Sequence, residues 1–500
     1  MGKQTFPIKS AGITGFMMIL PVILVSSSIV INPAYAQHDS GVLNEAPNIV
    51  LKDKSLVAQP YVSGLNLPMT MTFVGEKELL VVERTAGNVR LIRDGELQPE
   101  PVLTLNVSSV TFEEGLIGIF AKDSTVYLDI TTRDSNNNVT TWFYKYRWDG
   151  NKLIDPILLK EIPGGEGLHN GGAMIADANG TVYGIMGDQW YRRGVTQNHP
   201  EGGGPDNTSV IFPLESGNSY DYYAIGIRAS LGLAVDPVTG YMWDTEDGGS
   251  VYDEINLVTP KFNSGWEVIQ GPANSTQLAS LPQYDGYTYH GPKFSLESPV
   301  GIAAPTFIRS NTLKEYQNSM LVGAFHNGAI YELKLNENRT GFEFENQSLT
   351  DSVLNKDDDP STIIFATGFA GVTDIEEGPD GLIYVVSVGD GTIYKIASRN
   401  AIASGTASGT PLHYTLPTII TGAVGLYLFR LQEVQVKPER QERKFVSRGF
   451  KSHPLHFFYS GKIQHQVEFI CGYCRTKPLV MLCSLAVKLM ANSARAVLCL

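Results

Sequence analysis

Residues 171–188 read GGAMIADANGTVYGIMGD: an apolar run, a turn at Ala178-Asn179-Gly180, and a second run rich in β-formers from Val182 to Met186. Gly180 stands where a tight reversal needs positive φ between two strand-like segments. The same phrase returns as LGLAVDPVTGYMWDT at 231–245 and as VTDIEEGPDGLIYVVS at 372–387, with Gly240 and Gly381 in the matching turns. Fainter copies begin at Pro68, Leu116 and Val300, and continue into second runs at Glu78 to Val82, Val126 to Ile130 and Ser319 to Ala324. A third alternating run follows every pair, at Asn88 to Arg93, Thr141 to Trp148, Ser209 to Pro213, Glu254 to Val258, Ala329 to Leu335 and Thr392 to Ile396. Helical periodicity is scarce. Six such units, spaced roughly 45 to 75 residues apart, each a small antiparallel sheet, predict an all-β, six-bladed β-propeller. A β-sandwich is the rival fold, but sandwiches are usually built from one set of strands rather than from repeated units.

Charge marks where the chain changes character. Residues 37–400 hold 47 acidic and 24 basic side chains, whereas residues 431–500 hold 4 and 11. The acidic body excludes nucleic acid as a partner, since phosphate binding needs clustered Lys and Arg, and suits a neutral ligand or a cation. Residues 1–36 read as a signal peptide: Lys3 and Lys9, an apolar stretch from Ala11 to Ile31, then Ala34-Tyr35-Ala36. An uncleaved signal anchor is the alternative. Residues 37–55 form a linker, 56–398 the propeller and 399–412 a second, Ser/Gly-rich linker. An apolar segment at 413–430, followed by Lys437, Arg440, Arg443 and Lys444, is a candidate membrane anchor, so the expected location is extracellular or cell-surface. The basic tail at 431–500 shows no clear pattern. All four cysteines fall there, so the propeller is held by burial and strand pairing rather than by disulfides.

In a propeller the first strand of each blade lines the channel, and residues just before those strands converge on one mouth. Three chemically distinct groups arrive there: the carboxylates of Glu113 and Glu114, the imidazole of His169 and the guanidinium of Arg228. His169, one of four histidines between 56 and 398 and followed by glycines, is the candidate general base. A structural histidine in a turn is the alternative. Arg228 is placed to clamp a carboxylate-bearing ligand, or else to bridge neighbouring blades. A second cluster holds Asp244, Glu246, Asp247, Asp253 and Glu254 around Gly248-Gly249, the oxygen-rich composition a hard cation such as Ca²⁺ requires. It lacks the EF-hand spacing, and an acidic surface loop is the other reading.

Together these phrases resemble the glucose/sorbosone dehydrogenase family, soluble aldose sugar dehydrogenases that use pyrroloquinoline quinone (PQQ), and especially its archaeal exported members. The resemblance rests on Glu114-Gly-Leu-Ile-Gly118, His169-Asn-Gly-Gly172, Tyr183 to Asp188, Gly226-Ile-Arg228, Trp243-Asp-Thr-Glu246, Asp253-Glu-Ile-Asn-Leu257, Asn263-Ser-Gly-Trp266 and Gly378-Pro-Asp-Gly381. It implies that His169 takes the proton of a sugar's anomeric hydroxyl while C1 passes hydride to the quinone. It further implies that Glu113, Arg228 and His326 lie against the cofactor. The carbonyls of Gly248 and Gly249 would hold Ca²⁺, with Asp247, Asp253 and Glu254 contributing charge or a further cation site.

The chain departs from that pattern at the cofactor. Glu113 replaces a glutamine, Leu168 an aspartate, Ala229 an asparagine and His326 a lysine, and an arginine pair is replaced around Gly371 and Thr373. Gly248-Gly249 stands for Gly-Pro. The expected function is oxidation of aldose sugars at C1 by hydride transfer to PQQ with Ca²⁺ assistance, electrons passing to an acceptor the sequence does not identify. The alternative is a non-catalytic calcium-binding propeller that has lost quinone and binds carbohydrate or protein. A calcium-dependent lactone hydrolase ranks last, because it needs several side-chain ligands in the channel itself.

Overall fold

The computed structural model describes residues 45–400 apart from 47, 191, 192 and 218. The expected signal peptide, the membrane segment and the basic tail with its cysteines lie outside the described residues. The described residues form an all-β propeller whose strands fall into six sheets. Their inner strands are Pro68–Gly75, Leu116–Lys122, Met174–Ala176, Ser230–Val235, Ile302–Phe307 and Val372–Glu377, and each adjoins the next until the sixth meets the first. Sheets are numbered below in that order.

The middle strands read as near-continuous apolar runs because both of their faces are buried. In Glu78–Glu83 of the first sheet, Leu79 and Val81 pack against Leu382, Tyr384 and Val386 of the sixth sheet. Leu80 and Val82, one residue out of phase, pack against Leu116 and Leu128 of the second. Similar clusters fill the other gaps, with Phe143 against Phe212 between the second and third sheets and Trp243 against Met320 and Val322 between the fourth and fifth. Each such side chain contributes roughly 1.5–3 kcal/mol on leaving water.

The turns are built as the composition implies. Asp177 Oδ1 accepts the N–H groups of Asn179 and Thr181 at 2.9 and 2.8 Å, and Gly180 takes φ +82°. Closure uses the two ends of the domain: Leu56–Val62 pairs antiparallel with Thr392–Ser398, so a strand from the N-terminal end completes the last sheet. Val50–Leu51 likewise extends the fifth sheet beside Ile364–Thr367.

The sequence pattern gives three strands per unit, and the sheets carry outer additions besides, from the 11-residue Leu153–Pro163 that turns back on Val139–Trp148 to two-residue strands drawn from distant segments. The largest lies on the third sheet, where Ala224–Ile225 adds antiparallel to Val210–Pro213, and Phe262–Asn263 and Thr288–Tyr289 then add in parallel beyond it. The chain between 259 and 293 thus leaves the fourth sheet, packs on the third, and returns as Phe294–Leu296.

Across the fourth and fifth sheets Arg339 grips Asp236 with two hydrogen bonds of 2.7 Å, both side chains buried. Burial disfavours the charge on Asp236, yet the bonds from Arg339, Thr239 and the Val238 N–H outweigh it and hold the carboxyl below its usual range. Asp236→Ala should strand a buried guanidinium and cost about 3–5 kcal/mol in urea unfolding at neutral pH. Because the folded value lies below the unfolded one, of about 3.9, the contribution is complete above that value and is lost as pH falls through the folded one. The gap between wild type and variant should therefore close in acid.

Candidate active site

One mouth of the channel is organised around a meeting of backbones. Gly187 follows the strand Val182–Met186, and a Cβ there would lie 2.5 Å from the Arg228 carbonyl oxygen and 2.7 Å from that of His169. Only glycine lets the loops before the third and fourth sheets approach this strand end so closely. The Asp188 N–H then donates to the Arg228 carbonyl at 2.8 Å, which sets three functional side chains around one point.

His169 is 6% exposed and adopts φ +56°. Its Nδ1 lies 2.5 Å from Asp188 Oδ1, so the carboxylate fixes the tautomer with the proton on Nδ1 and leaves Nε2 as the acceptor. Asp188 is itself held: Oδ1 also accepts the Trp190 N–H at 3.0 Å, and Oδ2 accepts the Trp266 indole N–H at 2.9 Å. The His169 backbone N–H donates to Glu113 Oε2, so Glu113 carries the loop on which the imidazole sits. Glu114 turns away into a buried ion pair with Arg133.

Arg228 enters from the other side. Its Nη1 donates to the Asp247 carbonyl at 2.6 Å, its backbone N–H to Glu246 Oε2 at 2.9 Å, and its guanidinium lies 5.3 Å from the centre of the Trp266 ring. A cleft of about 410 Å³ separates these groups, lined by His169, Asp188, Trp190, Arg228, Gly249 and Trp266. The base and the guanidinium expected from the sequence therefore share one cleft.

The acidic loop is distributed differently from a carboxylate cage. Asp253 spends Oδ1 on the Gly248 N–H at 2.8 Å and Oδ2 on the N–H groups of Val300 and Gly301 at 2.7 and 2.9 Å. Glu254 accepts the Gly271 N–H and faces inward with Glu246, Asn256 and Ser264. Burial pushes Glu246 up to about 7, and burial with the neighbouring Glu246 charge raises Glu254 well above its usual range. Burial, then the charges of Asp253 and Glu113, does the same to Asp247. Among the described residues no three His, Cys, Asp or Glu side chains are arranged to hold a metal ion. No hydrogen bond among the described residues reaches the carbonyl oxygens of Gly248 and Gly249, which leaves them as candidate cation ligands. His326 is exposed, its N–H on the Val300 carbonyl at 2.9 Å, and it does not line the cleft with His169 and Arg228.

A model of the family described as Glucose / Sorbosone dehydrogenase matches residues 65–395. The chain belongs to that family. Aldose sugar dehydrogenase YliI of Escherichia coli (strain K12) is 21% identical over 406 residues, covering 76% of this chain and 98% of its own. The protein slr1608 of Synechocystis sp. is 26% identical over 389 residues, covering 70% of this chain and 88% of its own. In fold, the PQQ-bound form of aldose sugar dehydrogenase from Streptomyces coelicolor matches with a TM-score of 0.51 at 17% identity, over 70% of this chain and 97% of that one.

In the sequence, Asp188 and Trp266 stand out only as members of short phrases. The available signal was the Gly187-Asp188 pair immediately after a strand. Asp253→Ala should free three backbone N–H groups and cost about 3 kcal/mol in denaturant unfolding, with Asp253→Asn, which keeps an acceptor, losing less.

Proposed function

We propose that this member of the glucose/sorbosone dehydrogenase family oxidises aldose sugars at C1, with His169 as proton acceptor in the cleft it shares with Arg228. The reading is carried by one observation: an imidazole tied through Nδ1 to Asp188, beside a guanidinium whose buried Nε, like the imidazole Nε2, has no hydrogen-bond partner among the described residues. We also infer that the six sheets are the blades of a six-bladed propeller, a reading supported by the closed ring of inner strands.

The residues present fit the family cofactor at its reactive end. Among the described residues, Arg228 Nε is left without a partner and can serve a carboxylate, and the carbonyls of Gly248 and Gly249 accept no hydrogen bond and can take Ca²⁺. Bound pyrroloquinoline quinone would supply the hydride acceptor for the C1 hydrogen. Every other part is the protein's own. His169 Nε2 takes the proton of the anomeric hydroxyl, and the Asp188 carboxylate offsets the charge the imidazole gains. Asp188 also forbids the ring from turning its protonated nitrogen toward the sugar. Trp190, whose ring packs edge-on at 5.2 Å from His169, limits water at the base. The signal-like segment at 1–36 supports reading the protein as exported, and 413–430 as a tether.

A second reading has its own support. Ala229, Gly371 and Thr373 bring no cation to this mouth, while Glu113 and Asp247 place carboxyl groups there. A tricarboxylated quinone would bind less tightly to such a site, and a propeller that takes Ca²⁺ without it would serve as a carbohydrate- or protein-binding module.

Titrating the full-length protein with PQQ in the presence of Ca²⁺ separates the two. The dehydrogenase reading expects a change in quinone absorbance, thermal stabilisation and dye reduction by aldoses. His169→Ala should then lower kcat by roughly 10²- to 10⁴-fold with cofactor uptake retained. Absence of any absorbance change at high PQQ, with Ca²⁺ stabilisation intact, would select the binding module.

A further inference from the structure

Trp266 occupies a position no catalytic reading has used. It follows the parallel strand Phe262–Asn263 on the third sheet, and its backbone is fastened at both polar groups: N–H to the Gly226 carbonyl at 3.2 Å, and carbonyl from Asn198 Nδ2 at 2.6 Å. The indole does two things at once. Its N–H donates to Asp188 Oδ2 at 2.9 Å, on the carboxylate oxygen that His169 leaves unused, and its face carries the Arg228 guanidinium.

A carboxylate held through one oxygen alone can rotate about Cβ–Cγ and exchange its oxygens, and the imidazole it orients then turns with it. Asp188 is bound through both. We propose that Trp266 is a positioning residue for His169: its indole N–H locks Asp188 in the orientation that keeps the His169 proton on Nδ1, and its ring places Arg228 across the cleft. The catalytic consequence rests on His169 acting as the proton acceptor, while the positioning itself is observable in the protein alone.

The test uses the full chain labelled with ¹⁵N-histidine, the His169 resonance being assigned by its loss in His169→Gln. Wild type should show one tautomer with the proton on Nδ1. Trp266→Phe, which keeps the ring face but removes the donor, should show a mixture. In PQQ-loaded protein the same variant should lose roughly tenfold in kcat with sugar KM changed less than twofold, and should add nothing in an Asp188→Asn background. An unaltered imidazole spectrum in Trp266→Phe, or losses that add to those of Asp188→Asn, would overturn the proposal. A second arm needs no Trp266 variant: the Trp266 indole proton should shift and exchange faster in Asp188→Asn, and an unmoved resonance overturns the proposal equally. If loaded wild type shows no turnover, the dehydrogenase reading fails while the spectra still decide the positioning.

Discussion

The close approach at Gly187 is the constraint on which the mouth of this propeller depends. A propeller brings loops from separate sheets toward one axis, but that leaves them several ångströms apart unless something removes the intervening side chain. At Gly187 nothing stands between the strand end and the carbonyls of His169 and Arg228. The Asp188 N–H can then reach the Arg228 carbonyl, and the Asp188 carboxylate the His169 ring. The distance between a base and a cation, ordinarily left to flexible loops, is set here by main-chain contacts.

Behind that surface the structure accumulates buried carboxyl groups with little countercharge. Glu246 and Glu254 are cross-strand neighbours on the fourth sheet, and Asp244 faces Asn256 two residues along the same pair of strands. All are buried, and burial raises each of them. Such a group is expensive unless its oxygens find donors. Glu246 finds the Arg228 N–H, the Ser264 hydroxyl and the Asn256 amide, and Glu254 the Gly271 N–H. These carboxyls therefore fasten the loops that carry Arg228 and Trp266, a structural use that the count of acidic residues did not suggest. That leaves the carbonyls of Gly248 and Gly249, which the family resemblance already implies, as the candidate cation ligands among the described residues.

Much of the architecture was legible because both faces of each sheet are buried. Recurrent apolar runs such as Leu79 to Val82, punctuated by Asp or Asn before Gly, carry period and turn in the same few residues. His169 and Arg228 were legible for a related reason: each directly precedes an inner strand, so topology alone sends both to one mouth. The short outer strands were not. Ala224–Ile225 and Phe262–Asn263 carry two residues each, too few for any alternation to register, and pair in parallel across a long separation. Asp188 and Trp266 were hidden likewise, since their partnership spans 78 positions and no local spacing records it.

That long-range pairing also explains why the cleft forms between two particular sheets. The excursion from 259 to 293 abandons the fourth sheet after Asp253–Val258 and adds its residues to the edge of the third. In crossing, it carries Trp266 over the seam where His169 and Arg228 already meet, and the Glu267 N–H bonds the Gln197 carbonyl in the loop after Trp190. Gln197 in turn donates to the Asp188 carbonyl at 3.2 Å. The wall of the cleft is thus supplied by one sheet and fastened to its neighbour, and a displacement of either sheet would move the aromatic wall and the orienting carboxylate together. Positioning of the base and shape of the ligand space are consequently one structural variable here. Substitutions in the 259–293 excursion far from His169 can therefore change both.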